Sequence, residues 1–293
     1  MKRTLVTLGV ALALVSSACG SKDKASSTAP IGPTRTPHRI VSLSPTATEM
    51  LFAIGADKQV IAVDDQSNYP ARAPHTKLSS YEPNVEAIAG YKPDLVVISG
   101  DVKNLKAQLQ ALSIAVLVSP AAATLTDSYR ELDELGTRTG HLDKAHSVVA
   151  GMKSRIASLR KEVPVRATPL TYYHELDNTL FSATSKTFIG NIYALAGLQN
   201  IADPADTGAS GGYPQISSEF LVKAEPDLVF LADTKCCAQN ADTFGARPGF
   251  AALKAVQQHH VISLDDDVAS RWGPRIVDLL ARVVAVLKTI PTT

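Results

Sequence analysis

Along residues 142–163 the apolar positions Leu142, Ala145, Val149, Met152, Ile156, Leu159 and Val163 recur at alternating steps of three and four. That spacing lines them along one stripe of an α-helix. No other stretch of the chain is as regular. Asp143 stands in the first turn, Lys153, Arg155, Arg160 and Lys161 lie towards the far end, and Pro164 follows, so the charges complement the helix dipole and the stop is sharp. At 1.5 Å per residue the predicted helix runs roughly 30 Å, about the width of a small domain. It divides the chain nearly in half.

Short apolar runs alternate with helical patterns on both sides of it. Residues 39–43, 60–63, 95–99 and 115–118 read as buried strands, and 46–54, 84–90, 102–112 and 126–140 as helices. Thr46 with Glu49 three positions later is a capping-box pattern, and Gly55 marks the stop of that helix. Beyond the long helix, 170–174, 228–231 and 261–264 read as strands, a helix precedes Gly197, and a Gly-rich loop holds 210–213. Glu219 stands in a short helix, and Pro274 opens a closing helix through Leu279, Leu280, Val283 and Leu287. This alternation predicts an α/β fold, with parallel sheets covered by helices on both faces. The loop 64–74 leaves its strand at the carboxyl end, where ligands of open α/β sheets sit, and 78–83 is a further loop.

The two halves repeat one another. Glu86 stands seven positions before Pro93, Asp94, Leu95, Val96, and Glu219 stands seven before Pro226, Asp227, Leu228, Val229. Upstream of each, an apolar helical run closes on glycine, EMLFAIG at Gly55 and NIYALAG at Gly197. One copy of a supersecondary unit on each side of the long helix predicts two lobes joined by a stiff rod.

Composition changes this picture little. A chain of 293 residues, 45% of them apolar, can build a core in each lobe, and disorder is excluded for most of it. The formal net charge is +1, and loss of Lys2 and Arg3 would take two positive charges and leave −1, so nothing draws the chain to nucleic acid or anionic lipid. Lys2 and Arg3, the apolar run 4–15 and the small residues Ser16, Ser17 and Ala18 read as an export signal over 1–18, too short to span a bilayer stably. Cys19 after Ala18 resembles the lipobox of bacterial lipoproteins, with Ser16 where leucine is usual. Acylation of Cys19 would tether the protein to the outer face of the cytoplasmic membrane, with the polar stretch up to residue 37 as a leash. The remaining cysteines, Cys236 and Cys237, are adjacent, which leaves a vicinal disulfide or a soft-metal site open. No further ligands flank the pair at metal-site spacing.

Five segments in order, RIVSLSPTATEMLFAIGA, SNYP, NVEAIAGYKPDLVV, PQISSEFLVKAEPDLVFL and RWGPRI, resemble the substrate-binding proteins of bacterial ABC importers for metal chelates. That group includes binders of cobalamin and of ferric siderophores, and the resemblance covers about residues 37–290. It implies two Rossmann-like lobes, 38–140 and 164–293, bridged by a single helix at 141–163, with the ligand in the cleft between them and little hinge closure. It further implies an extracytoplasmic monomer with no cofactor and no resident metal, which hands its chelate to a permease dimer. Glu86 and Glu219 match the acidic residues that dock on permease arginines. Gln66, Tyr81, Phe181, Tyr213, Asp267 and Arg271 match cleft positions of the cobalamin binders, and Trp272 adjoins Arg271 without matching a contact. Three departures are visible: Gln66 replaces a ligand tyrosine, Ser99 or Gly100 a tryptophan, and Ala196 a disulfide cysteine.

Other functions compete with this one. An enzyme could use His174 and Glu175, or His259 and His260 with the acidic run 265–267, yet no His-Glu-x-x-His or Gly-x-Ser-x-Gly spacing places such groups, and the histidines are expected at the surface or in loops. A free-metal binder would bring several His and carboxylate ligands into the cleft. Haem would use Tyr81 or Tyr213 as an axial ligand. Anionic ferric siderophores would call on Arg271, with Arg72 and Arg247 as neighbours, whereas a corrinoid's apolar edge and amide side chains suit Tyr81, Phe181, Tyr213 and Gln66.

Overall fold

The computed structural model describes residues 36–292, so the expected export signal, Cys19 and nearly all of the leash lie outside the described residues. The first half runs β1 (Ile40–Leu43), α1 (Pro45–Ala53), β2 (Val60–Asp64), β3 (His75–Leu78), α2 (Val85–Gly90), β4 (Leu95–Ile98), α3 (Leu105–Ala111), β5 (Ala115–Val118) and α4 (Leu125–Thr139). Its strands form one parallel sheet in the order β3-β2-β1-β4-β5. After α5 (Leu142–Lys161) come β6 (Thr171–Glu175), α6 (Phe188–Leu195), β7 (Gln199–Asn200), α7 (Ser218–Ala224), β8 (Leu228–Leu231), α8 (Ala241–Gly245), α9 (Lys254–Gln257), β9 (Val261–Ser263), α10 (Asp266–Ser270) and α11 (Ile276–Thr289). The second sheet is also parallel, in the order β7-β6-β8-β9. Strands β1, β4 and β8 are buried along their whole length, as sheets covered on both faces require.

The repeat read from the sequence is carried into three dimensions. Strand order β2-β1-β4-β5 in one sheet matches β7-β6-β8-β9 in the other, with β3 as an extra edge strand. The two Pro-Asp-Leu-Val aspartates do the same work: Asp94 accepts from the backbone N–H of His38 and Arg39 at 2.8 and 2.9 Å, just ahead of β1. Asp227 accepts from the backbone N–H and hydroxyl of Thr171 at 2.9 and 3.0 Å, where β6 begins. Each ties the start of a central strand to its neighbour.

Helix α5 buries the stripe Ala145, Val149, Met152, Ile156 and Leu159 in a core that contains residues from both halves. It stops at Lys161, two residues before the predicted end, because Pro164 disfavours helical backbone at Val163. Helix α4 packs closely on it: a Cβ on Gly136 would stand 2.7 Å from the Ala145 methyl. Two strands lie outside those the sequence pattern predicts: β3, an edge strand whose only buried side chain is Leu78, and the two-residue β7. The predicted single helix over 102–112 is broken, because Lys103 and Asn104 take left-handed backbone and separate a short 3-10 turn from α3. The expectation of surface histidines fails at His174, which is fully buried in β6 with Nδ1 2.8 Å from the Tyr193 hydroxyl. Burial holds its pKa down to about 3, so it is a neutral core residue.

Candidate functional site

A parallel sheet delivers the loop after every strand to the same edge, and in the first sheet all five loops reach one cavity of about 440 Å³. Ser44, Pro45 and Thr46 follow β1, Gln66 follows β2, Ser80 and Tyr81 follow β3, Ser99, Gly100 and Val102 follow β4, and Ala121 follows β5. This carboxyl edge is where open α/β sheets bind ligands. The remaining wall comes from the second half, where α10 and its exit supply Asp267, Ser270, Arg271 and Trp272.

Buried hydroxyls pin the loops of the first wall. Thr48 Oγ1 lies 2.9 Å from both Ser42 Oγ and Ser67 Oγ, which joins the β1–α1 turn to the loop after β2. Ser44 caps α1 by accepting from the Ala47 N–H. Asp64, at the end of β2, is fully buried with neither carboxyl oxygen in a hydrogen bond, and burial raises its pKa against the weaker pull of the Ser67 and Ser80 hydroxyls.

Charged groups organise the opposite wall. Arg271 donates to Glu49 Oε1 at 2.8 Å, Asn68 Oδ1 at 2.9 Å, the Gln66 carbonyl at 3.0 Å and Asp267 Oδ1 at 2.6 Å. Glu49, buried on α1, also accepts from Arg275 at 2.9 and 2.5 Å. Asp267 accepts further from Asn68 at 2.9 Å and Lys235 at 2.6 Å. Burial disfavours its charge, but the hydrogen bonds from Lys235 and Asn68 and the charge of Arg271 outweigh that and hold its pKa below the usual carboxylate range. Trp272 Nε1 donates to Glu131 Oε2 at 2.9 Å, and Ser119 donates to the same oxygen at 2.6 Å. Burial raises the Glu131 pKa against both bonds.

Of the six cleft residues inferred from sequence, Gln66, Tyr81, Asp267 and Arg271 line this cavity, and Tyr81 is 73% exposed. Phe181 and Tyr213 do not line it. They sit on neighbouring antiparallel segments beyond β6, 38% and 41% exposed, where Phe181 pairs with Gln215. Trp272, which matched no contact position, does line it, as do the hydroxyls of Ser44, Thr46, Ser80, Ser99 and Ser270. Most of these were findable, because four of the five hydroxyls stand within three residues of the end of a predicted strand or the loop after it. Arg72 and Arg247 are elsewhere: Arg72 lies over the Phe52 ring, and Arg247 grips the fully buried Glu175 with bonds of 2.8 and 2.6 Å. Glu86 and Glu219 are exposed and occupy the same place, the second residue of α2 and of α7, behind side-chain caps Asn84 and Ser217. Cys236 and Cys237 are bonded to each other, in a loop whose backbone N–H groups at Thr234, Lys235 and Cys236 all donate to Asp266. Among the described residues, no cluster of three or more His, Cys, Asp or Glu is arranged to hold a metal ion, and no helix is long and apolar enough to cross a membrane.

Residues 40–268 match the periplasmic binding protein family. The chain is 31% identical over 261 residues to the cobalamin-binding protein of Halobacterium salinarum, covering 84% of this chain and 68% of that one. Over 252 residues it is 27% identical to the uncharacterised ABC transporter substrate-binding lipoprotein YvrC of Bacillus subtilis, covering 83% of this chain and 77% of the relative. The crystal structure of the periplasmic vitamin B12-binding protein BtuF of Vibrio cholerae superposes with a TM-score of 0.72 at 25% identity, over 86% of this chain and 97% of that one. With the match running through both sheets and the cavity between their loops, this chain belongs to the periplasmic binding protein family.

Proposed function

We propose that the protein is the extracytoplasmic substrate-binding component of an ABC importer, held to the outer face of the membrane by a lipid on Cys19, and that its ligand is a corrinoid. Charge carries the ligand reading. Among the described residues that line the cavity only Arg271 and Asp267 are charged, and they are paired at 2.6 Å, with Arg271 also on Glu49. A catecholate siderophore, or the propionates of haem, would have to compete with Glu49 and Asp267 for a guanidinium that both already hold. The other polar groups are hydroxyls and the Gln66 amide, set beside the Tyr81 and Trp272 rings. They suit a large neutral ligand with an apolar edge and a fringe of amides.

Delivery would run through Glu86 and Glu219. Two exposed carboxylates at equivalent places in the two halves offer a symmetric partner two charge-assisted contacts to arginine. No step of chemistry on the ligand is part of this reading.

Calorimetric titration of the mature protein with cyanocobalamin, a ferric catecholate and haemin tests it. Saturable 1:1 binding of cyanocobalamin alone, weakened about tenfold by Tyr81→Ala, is the expected result. Tighter binding of the ferric catecholate would replace the corrinoid. Haem has one specific point in its favour, the exposed Tyr81 phenol as an axial ligand, and a Soret band on the purified protein would favour it.

A further inference from the structure

Arg271 stands at a matched cleft position, yet the residue is only 9% exposed and its guanidinium donates to four acceptors of the protein. Three of those partners, Glu49, Asn68 and the Gln66 carbonyl, belong to the first half, and Asp267 belongs to the second. Asn68 closes a ring: its carbonyl oxygen accepts from Arg271 and its amide donates to Asp267 Oδ2 at 2.9 Å. The loop after β2 is therefore held from the far wall of the cavity. Gln66, whose side chain lines that cavity, is held through its own backbone carbonyl.

We propose that Arg271 is a positioning residue: it fastens loop 65–70 across the cleft through Asn68 and Asp267, and so sets Gln66 for the ligand before the ligand arrives. Planarity matters here, because a guanidinium can serve four acceptors at once in a fixed fork and an ammonium cannot. The buried Glu49 holds the guanidinium in place, and Arg275 on the same carboxylate keeps Glu49 paired when Arg271 is altered. The cavity thus presents a preformed wall, and a ligand that needs Gln66 does not have to order the loop first.

The inference rests on the cavity being the ligand site, and its test separates the two. Hydrogen exchange of the amides of residues 65–69, Pro70 having none, and stopped-flow binding of cyanocobalamin are measured on the full mature protein and on Arg271→Lys, Asn68→Ala and Gln66→Ala. Arg271→Lys and Asn68→Ala should each speed exchange in 65–69 about tenfold and slow association by a similar factor, because only the fastened fraction is competent to bind. Gln66→Ala should speed dissociation and leave exchange alone. Asn68 is exposed, so its variant keeps the test open should the lysine variant fold poorly. Faster dissociation from Arg271→Lys with native exchange in 65–69 would make Arg271 a direct ligand contact and overturn the proposal. If cyanocobalamin does not bind even the native protein, the ligand reading fails, and native exchange rates in Arg271→Lys and Asn68→Ala overturn the positioning role independently.

Discussion

Asp233 follows β8 at the edge of the second sheet, fully buried, with neither carboxyl oxygen in a hydrogen bond. Burial first, and then the negative charge of Glu175, push its pKa from 3.8 up to about 7, and the attraction of Arg247 offsets only part of this. The folded protein keeps a proton there up to neutrality, while the unfolded chain loses it near pH 4. The native state therefore binds more protons between those values. The stabilisation is full below about pH 4 and is lost as pH rises through about 7. At about 1.4 kcal/mol per pH unit, moving from about pH 5.5 to about pH 8 removes roughly 2 kcal/mol. Asp233→Asn cannot ionise and should not lose it. Urea unfolding of the native protein and the variant at both pH values, followed by far-ultraviolet circular dichroism, measures the difference. His174 works in the opposite direction, since burial lowers its pKa to about 3, but it is common to both proteins and cancels. The variant should gain roughly 2 kcal/mol on the native protein between the two pH values. An unchanged gap would refute the assignment of a buried, neutral Asp233.

The remaining predictions concern the scaffold. Tyr193→Phe removes the hydroxyl 2.8 Å from His174 Nδ1 and leaves both ring nitrogens of a buried histidine unpaired; about 1–3 kcal/mol should be lost in chemical denaturation. Arg247→Met leaves Glu175 buried without its partner and beside Asp233, and should cost about 3–5 kcal/mol, most of it restored by adding Glu175→Gln, as read from thermal melts. A Cβ on Gly190 would stand 2.1 Å from the Thr184 carbonyl, whereas one on Gly151, inside α5, meets nothing within 4 Å. Gly190→Ala should therefore destabilise by about 2–4 kcal/mol and Gly151→Ala stabilise by about 0.5–1 kcal/mol in the same denaturation assay.

The long helix and the repeat were legible because both rest on local spacing. Steps of three and four fix which side of α5 is buried whatever packs on it, and Pro-Asp-Leu-Val repeats because Asp94 and Asp227 each tie down the start of a neighbouring strand. The edge strands were not legible. His75–Leu78 buries one side chain in four, so it carries no apolar run, and its pairing with β2 is a property of the sheet. The site divides along the same line. Gln66 and Tyr81 could be placed by resemblance and by the carboxyl-edge rule, whereas the commitment of Arg271 to Glu49, 222 positions away, depends on how the two halves meet. Resemblance supplies a residue's place in the chain but not the partners that occupy its donors.

The duplicated scaffold has been put to unequal use. In the first sheet the loops at the carboxyl edge open on a cavity rimmed by hydroxyls, with its one orphaned carboxyl, Asp64, set back from the lining. In the second sheet the equivalent edge is filled: Glu175 ends β6, Asp233 follows β8, and Arg247 comes from beyond α8 to close over Glu175 by two hydrogen bonds. A buried ion pair beside a buried, protonated carboxyl presents no net charge at the surface of that edge, and its groups are spent on packing within the second half. The second half instead contributes to the cavity through α10 and its exit, and α10 is itself tied down, since Asp266 accepts from the backbone of the Cys236–Cys237 loop and Lys235 binds Asp265 and Asp267. One lobe thus supplies most of the cavity's lining and the other a braced wall against it, a division that favours a cleft shaped in advance of any ligand.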